Sequence, residues 1–378
     1  MKFASLHLHS QLLEAIKALG FTEATPIQGA ILPLTLLGRD AIGRAQTGTG
    51  KTAAFLITVI QDLLVNPVGE ERFGGEPRAL ILAPTRELAQ QIHADAMGLI
   101  EGTGLRSVCL LGGADLQGQV TELESSLVDI VVATPGRLID MMNRKHVWLD
   151  RIELFVLDEA DRMMDMGFIP DIKRIINSMP DKSDRQSLLF SATFNQDVMN
   201  LAYQWLYEPE YVEVEPEQKT AALIDQQVYL IAQSEKLGFL QQFLRGDNYD
   251  KVIVFANRRD QVRDLYLKLK QEGFAVAMLS GEMSQDKRES HLERFKQGEA
   301  RVMVATDVAG RGIHVDDISH VINYTLPDQV DDYVHRIGRT GRAGASGISI
   351  ALADEDDSFM LPALQKHFGA DALTMIQP

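Results

Sequence analysis

Ala45–Thr52 reads A-Q-T-G-T-G-K-T, and this stretch decides the fold. It follows a short strand-like run, Asp40–Ile42, and precedes an apolar, helix-competent run that starts at Ala53. A strand, a glycine-bearing loop ending in Lys-Thr and a helix together make a phosphate-binding loop, here with alanine where the first glycine usually stands. Gly48 and Gly50 let the backbone curl, so that successive N–H groups of Gln46, Thr47, Gly48, Thr49 and Gly50 can face a polyphosphate. Lys51 offers a point charge to β- and γ-phosphates, and the Thr52 hydroxyl suits Mg²⁺.

Outward from this loop, short apolar runs alternate with longer stretches of helical period, as α/β parallel sheets require. The strand candidates of the first half are Ala79–Ala83, Ser107–Leu111, Ile130–Ala133, Leu154–Leu157 and Ser187–Phe190. Those of the second half are Val228–Ile231, Val252–Ala256, Val276–Leu279, Val302–Ala305, His320–Tyr324 and Ile348–Leu352. At 378 residues the chain exceeds what one hydrophobic core normally serves. The acidic stretch Glu208–Thr220 separates the halves, and Pro216 disfavours a helix through it. The expected fold is therefore α/β, with domains at residues 1–212 and 223–378, each a parallel sheet flanked by helices, joined by a linker at 213–222. Only the first half carries a phosphate loop.

Ligands of open α/β sheets bind beyond the carboxyl ends of the strands. Asp158-Glu159-Ala160-Asp161 stands at such an end, after Leu154–Leu157. Asp158 is placed to hold a metal ion, and Glu159 to orient or deprotonate an attacking water. An isolated Asp-Glu pair often just caps a helix; in a domain with a phosphate loop it points to nucleotide hydrolysis.

Composition sets outer bounds. The apolar and charged fractions, 45% and 24%, are those of an ordinary globular protein. No apolar run approaches the roughly 18 residues of a membrane span, and Met1–Ser10 lacks a signal-peptide pattern, so the cytoplasm is the expected compartment. Cys109 is the only cysteine, which excludes an intramolecular disulfide and a cysteine zinc cluster. The net charge of −16 rules out a uniformly basic nucleic-acid binder, leaving a local basic groove or backbone amides for any phosphate contact. His7 and His9 lack metal-ligand company, and Met141–Met142 and Met163–Met166 read as packing.

D-E-A-D, together with S-A-T at Ser191–Thr193, resembles the signature of the DEAD-box RNA helicases of superfamily 2, and the likeness runs from Phe3 to about Leu352. The resemblance implies tandem RecA-like domains, RNA-dependent hydrolysis of ATP with Mg²⁺, and local separation of short RNA duplexes. Gly20–Gln28 (G-F-T-E-A-T-P-I-Q) resembles the family's adenine motif, with Phe3, which the resemblance also places at the nucleotide, seventeen residues ahead and Ala24 where proline is usual. By that likeness Phe21 packs on adenine and Gln28 hydrogen-bonds its edge; one amide offers the donor and acceptor that adenine requires. Pro84–Ala89 (P-T-R-E-L-A), Gly112–Gly113 and Thr134–Arg137 (T-P-G-R) resemble RNA-backbone motifs. They imply Pro84, Thr85, Arg86, Gly112, Gly113, Thr134, Pro135, Gly136 and Arg137 as contacts, and their hydroxyls, arginines and helix starts suit phosphate and ribose.

In the second half, Val252–Asn257, Gln285–Arg288, Ala305–Gly312 and His335–Arg342 resemble the remaining motifs. They imply Asn257, Gln285, Arg288, Thr306 and Asp307 as RNA contacts. Arg339 and Arg342 resemble arginine fingers, and His335 the residue that completes the water-activating set. Asp161, Ser191, Thr193, Arg311 and Arg336 are implied as coupling residues. Three arginines and a histidine within eight residues are expensive to bury without an anionic partner.

One departure stands out. After Arg311-Gly312 the family usually has Ile/Leu-Asp, with the Asp on the ATP ribose; here the position is His314. A neutral imidazole still offers a hydrogen bond but loses the carboxylate's acceptor pair. With Val214–Thr220 and His335–Ile350, the R-G-I-H variant resembles a bacterial branch associated with the RNA degradosome. That implies messenger-RNA decay and ribonuclease E as a partner of a monomer. The branch usually carries an Arg-rich C-terminal tail, which does not precede Pro378 here. Two other readings stay open: an ATP-gated RNA clamp that unwinds only when a partner activates it, and a DNA translocase.

Overall fold

The computed structural model describes residues 1–45, 48–67, 72–194, 196–214, 224–246, 248–310, 315, 318–341, 346–357, 359–369 and 372–376, with backbone only at 285 and 308. The chain divides into two compact units, Met1–Glu215 and Pro216–Pro378.

In the first unit the strands are β1 (Ala41–Arg44), β2 (Ala79–Leu82), β3 (Ser107–Leu110), β4 (Ile130–Ala133), β5 (Leu154–Leu157), β6 (Gln186–Ser191) and β7 (Glu210–Glu213). They form one parallel sheet in the order β3-β4-β2-β5-β6-β1-β7. The tetrapeptides A-L-I-L, I-V-V-A and L-F-V-L of β2, β4 and β5 are buried at every residue. Central strands covered on both faces need such unbroken apolar runs rather than alternation. Successive side chains go to opposite cores: Ile81, Val132 and Val156 to one, Leu80, Val131 and Phe155 to the other.

In the second unit the strands are β8 (Ile224–Leu230), β9 (Lys251–Phe255), β10 (Val276–Leu279), β11 (Val302–Ala305), β12 (Ile318–Asn323), β13 (Gly347–Ala353) and β14 (Leu373–Ile376). Their order, β10-β11-β9-β12-β13-β8-β14, is the first order with seven added to each strand number. The same winding is thus built twice, from halves that share no phosphate loop. β7 and β14 depart from the sequence expectation. β7 lies in a stretch read as an acidic divider, and β14 follows the last strand candidate. Both are edge strands paired on one side only, with Val212 and Leu373 as their buried residues. An edge strand needs no continuous apolar run, so periodicity does not announce it.

Strand order sets up the chemistry. β6 lies between β1 and β5. The segments that follow these three strands, the phosphate loop, D-E-A-D and S-A-T, therefore meet at the carboxyl end of one half-sheet.

Candidate active site

Gly48 and Gly50 take left-handed φ of 83° and 92°, and Gly50 is the N-cap of the helix Lys51–Val65. The open N–H groups of that first turn are the anion-binding end of the helix. Lys51 is buried, and its Nζ donates to the Ala45 carbonyl at 2.6 Å, folded back over the loop it serves; Thr52 follows, half-buried. A Cβ at Gly50 would lie 2.5 Å from Gln28 Nε2, so a side chain here would be strained by its φ and would displace the Gln28 amide.

That contact is a working one. Gln28 Nε2 donates to the Gly50 carbonyl at 3.0 Å, and Gln28 Oε1 accepts from the Thr25 N–H at 2.9 Å, closing the capping box of the helix Pro26–Thr35. The adenine-reading candidate is thus tied to the phosphate loop. Its amide keeps one donor and one lone pair beyond those two bonds. Phe21 is exposed at 43% and offers a ring face, whereas Phe3 is exposed at 3% and belongs to the core that includes Leu12 and Ile16. Phe3, expected beside the nucleotide, acts as packing here: its ring is covered by its own domain.

Asp158 follows β5 directly, buried, and its Oδ1 accepts the Glu159 N–H at 2.9 Å. Burial pushes its carboxyl up to about 6; the Lys51 ammonium pulls against this, while the Glu159 and Asp161 charges add to it. Glu159 has a left-handed φ of 51°, caps the short helix Ala160–Asp165, and forms an ion pair with Arg162. Asp161 turns toward β6. Its Oδ2 accepts from the N–H and hydroxyl of Thr193 at 3.0 and 2.8 Å, and its N–H donates to Ser191 Oγ at 3.3 Å. Ser191 Oγ in turn donates to the Thr193 carbonyl at 2.8 Å. D-E-A-D and S-A-T are one hydrogen-bonded unit, so a shift in either moves the other.

A magnesium ion suits this donor set. The Thr52 hydroxyl and Asp158 carboxylate are hard oxygens, and a cation relieves the repulsion among three neighbouring acids. Among the described residues no group of three or more His, Cys, Asp or Glu forms a closed cage. Magnesium commonly keeps waters and phosphate oxygens instead.

The RNA candidates of the first unit gather at the carboxyl ends of β2, β3 and β4. Thr85 caps the helix Arg86–Ile100, its Oγ1 accepting from the Leu88 N–H at 3.3 Å. Pro84 before it is buried. Arg86 lies against Gly113, where an added Cβ would sit 2.6 Å from Nη1, so Gly112–Gly113 and Pro84–Ala89 form one surface. Thr134 and Pro135 start the helix Pro135–Asn143, and Gly136 is exposed on its first turn. Arg137 departs from the expectation. It is buried, and its guanidinium donates to Gln119 Oε1 at 3.0 Å and the Ala114 carbonyl at 3.1 Å. It braces the segment after β3 rather than offering its charge outward.

In the second unit Arg336 organises the cluster. It is 1% exposed, with Nε and Nη2 on the two carboxylate oxygens of Asp307 at 2.5 and 2.6 Å. Nη2 also reaches Asn257 Oδ1 at 2.7 Å, Nη1 reaches the Thr325 carbonyl at 2.6 Å and Asn323 Oδ1 at 3.1 Å, and the guanidinium lies 5.4 Å from the Phe255 ring centroid. Asn257 and Asp307, expected as RNA contacts, are engaged in holding this arginine. Thr306 is buried, and its Oγ1 accepts from the Ala309 N–H at 3.4 Å; Arg288 Nη2 donates to the Ala309 carbonyl at 2.9 Å. His335 lies in the last turn of the same helix as Arg336, and Arg339 Nε donates to the His335 carbonyl at 3.2 Å.

Gln46, Thr47, Arg311, His314, Arg342 and the side chain of Gln285 lie outside the described residues. Reading motifs missed Arg162, Asn323 and Lys236. Lys236, fully buried, bridges Asp354 and Asp357 at 2.8 and 2.7 Å, and Asp357 Oδ1 accepts from the Leu326 N–H beside the Asn257 contact. Arg162 had a local signal, the i,i+3 spacing to Glu159 at a helix start. Lys236 had none, because its partners lie more than a hundred residues away.

Comparisons with known proteins agree with this geometry. Residues 25–201 match the DEAD/DEAH box helicase family, and residues 235–344 the helicase conserved C-terminal domain. Over 368 residues the chain is 53% identical to the ATP-dependent RNA helicase RhlB of Pseudomonas syringae pv. tomato and 55% identical to that of Pseudomonas aeruginosa, covering 97% of this chain and 93% of each relative. Identity to RhlB of Salmonella newport is 48%, over 97% of this chain and 87% of the relative. Among solved structures, S. cerevisiae Dbp5 bound to RNA and ADP BeF3 is similar at a TM-score of 0.86 and 32% identity, covering 100% of this chain and 95% of that one. Mss116p bound to ssRNA and AMP-PNP is similar at 0.88 and 30%, covering 100% and 80%. The two parallel seven-stranded sheets are thus tandem RecA-like domains.

Proposed function

The chain belongs to the DEAD/DEAH box helicases and is an ATP-dependent RNA helicase of the DEAD-box type; from that premise we propose that it separates short RNA duplexes locally, without long-range translocation, in messenger-RNA decay. The observation that carries this reading is the Asp161–Thr193–Ser191 unit. It links the residues facing the nucleotide to the strand end that lies beside the phosphate loop. Lys51 and the amides from Gly48 to Thr52 hold the phosphates, Gln28 and Phe21 the adenine. Thr52 and Asp158 hold Mg²⁺, which neutralises charge on the phosphates when bound.

Glu159 orients the attacking water. His335, Arg339 and Arg342 complete the hydrolytic set, and the domains at 1–212 and 223–378 act jointly across the linker 213–222, so that hydrolysis depends on RNA and ATP together. Pro84–Arg86, Gly112–Gly113, Thr134–Gly136, Gln285, Arg288 and Thr306 carry RNA by its backbone, with little sequence preference. Arg137, Asn257, Asp307, Arg311 and Arg336 support that track.

Ribonuclease E in an RNA degradosome is the partner this reading assigns to a cytoplasmic monomer. No helix among the described residues is long and apolar enough to cross a membrane. The test is ATPase and duplex separation, with RNA and DNA substrates, each with and without ribonuclease E fragments. RNA-stimulated turnover and unwinding of RNA, raised further by the fragment, are expected. Equal action on DNA duplexes, or no response to the fragment, contradicts the respective part.

A further inference from the structure

Arg162 follows D-E-A-D directly and is 4% exposed. Its Nη1 pairs with Glu159 Oε2, and both side chains are closed to solvent, at 5% and 9% of their surface. The i,i+3 spacing brings them onto one side of the start of the helix Ala160–Asp165.

As a stability device this pair is poorly built. Nε and Nη2 of Arg162 are buried and have no hydrogen-bond partner among the described residues. A buried guanidinium loses its hydration, and a single carboxylate compensates only part of that loss. Other buried arginines of the chain are better met. Arg78 donates to both Glu153 oxygens and to the Leu63 and Asn66 carbonyls. Arg185 reaches Ser187 Oγ and the carbonyls of Pro180 and Trp205. Arg336 has five acceptors on four residues. Each of those arginines ties distant segments together, whereas Arg162 ties a residue three positions away. An incompletely met charge at such a place calls for an explanation other than folding.

Glu159 supplies one. Its left-handed φ of 51° is a strained setting for a residue with a side chain, and it fixes where Cβ leaves the backbone. It does not fix the remaining rotations of a glutamate. Those need a partner, and Arg162 is one, its planar arm also bearing on the plane of the carboxylate. We propose that Arg162 is a positioning residue for hydrolysis: by holding one oxygen of Glu159 it fixes the direction in which Glu159 meets the attacking water. The inference rests on the reading of Glu159 as the water-orienting residue. Arg162 acts through Glu159 and does not touch the nucleotide.

The test is single-turnover and steady-state ATP hydrolysis by the full chain with saturating RNA, in R162Q, R162K, E159Q and E159Q/R162Q. A displacement of about 1 Å in a catalytic group can lower a rate by about 100-fold. R162Q is therefore expected to lower kcat by about 10- to 100-fold while KM for ATP stays within about twofold. R162K keeps the charge but not the planar arm, so its kcat is expected in between. If Arg162 works through Glu159, R162Q does no further harm in the E159Q background. A wild-type kcat in R162Q, a loss confined to KM, or a full additional loss in the double variant overturns the proposal. Should R162Q not fold, R162K decides: a reduced kcat at unchanged KM supports it, and a wild-type kcat overturns it. Retained turnover in E159Q would instead refute the reading of Glu159, which keeps the two failures apart.

Discussion

Arg336 sets two arms of its guanidinium on the two carboxylate oxygens of Asp307, at 2.5 and 2.6 Å, in the interior of the second domain. The pair joins the turn after β11 to the helix Val330–Ile337, and through Asn257 it joins both to the end of β9. Removing one partner strands a buried charge, a loss of about 3–5 kcal/mol in general. D307N and R336M are each expected to destabilise the full chain by that amount in urea denaturation. A loss below about 1 kcal/mol in either contradicts the cluster's role as the brace of that domain.

Gln28 and Gly50 make a second pair whose disruption has a direction. Q28A leaves the half-buried Thr25 N–H without its partner and removes the amide from the Gly50 carbonyl, which keeps the Ala54 N–H. ATP affinity is expected to fall by about tenfold or more, with a smaller fall for a triphosphate bearing another base. G50A is expected to weaken nucleotide binding, because its φ of 92° is strained for alanine and its Cβ, 2.5 Å from Gln28 Nε2, would displace that amide. Equilibrium binding of fluorescent nucleotides reads both. Unchanged ATP affinity in Q28A refutes the link between adenine motif and phosphate loop.

His93, His291 and His320 are all held below the usual imidazole range by burial. Well above pH about 6.5 they are neutral in both folded and unfolded chains and impose no pH dependence. Below that, the unfolded chain takes up protons that the folded chain refuses, so stability falls until the folded pKa is passed. Denaturation midpoints are expected to drop between pH about 7 and 5.5, and less steeply in H320N, which removes the imidazole packed 5.3 Å from Phe243. Equal slopes for the two proteins would count against this source of acid sensitivity.

His314 stands where the resembling sequences place an aspartate on the ATP ribose. H314D is expected to tighten ATP binding and to remove a pH dependence of turnover between about pH 6 and 8. Identical ATP parameters in both proteins across that range dispose of the idea.

What the sequence disclosed follows a physical pattern. β2, β4 and β5 were legible because buried parallel strands must be apolar throughout, and A-L-I-L, I-V-V-A and L-F-V-L are. The phosphate loop and D-E-A-D were legible because their chemistry needs rare residues at fixed spacing. Edge strands β7 and β14 carry no such demand. Phe3 belongs by resemblance to the nucleotide site, seventeen residues ahead of the adenine motif, but the core around Leu12 and Ile16 holds it. The motifs imply Arg137, Asn257 and Asp307 as RNA contacts; burial claims Arg137, and Arg336 engages the side chains of Asn257 and Asp307. Long-range partners such as Asp357 for Lys236 exist only once the chain is wound.

The most direct test of the account is ATP hydrolysis by E159Q, compared with wild type in the presence and absence of RNA. The variant is expected to bind ATP and RNA as wild type does and to hydrolyse at least about 100-fold more slowly, with RNA no longer stimulating it. Wild-type binding with retained, RNA-stimulated turnover would contradict the assignment of Glu159, and with it the catalytic centre described here.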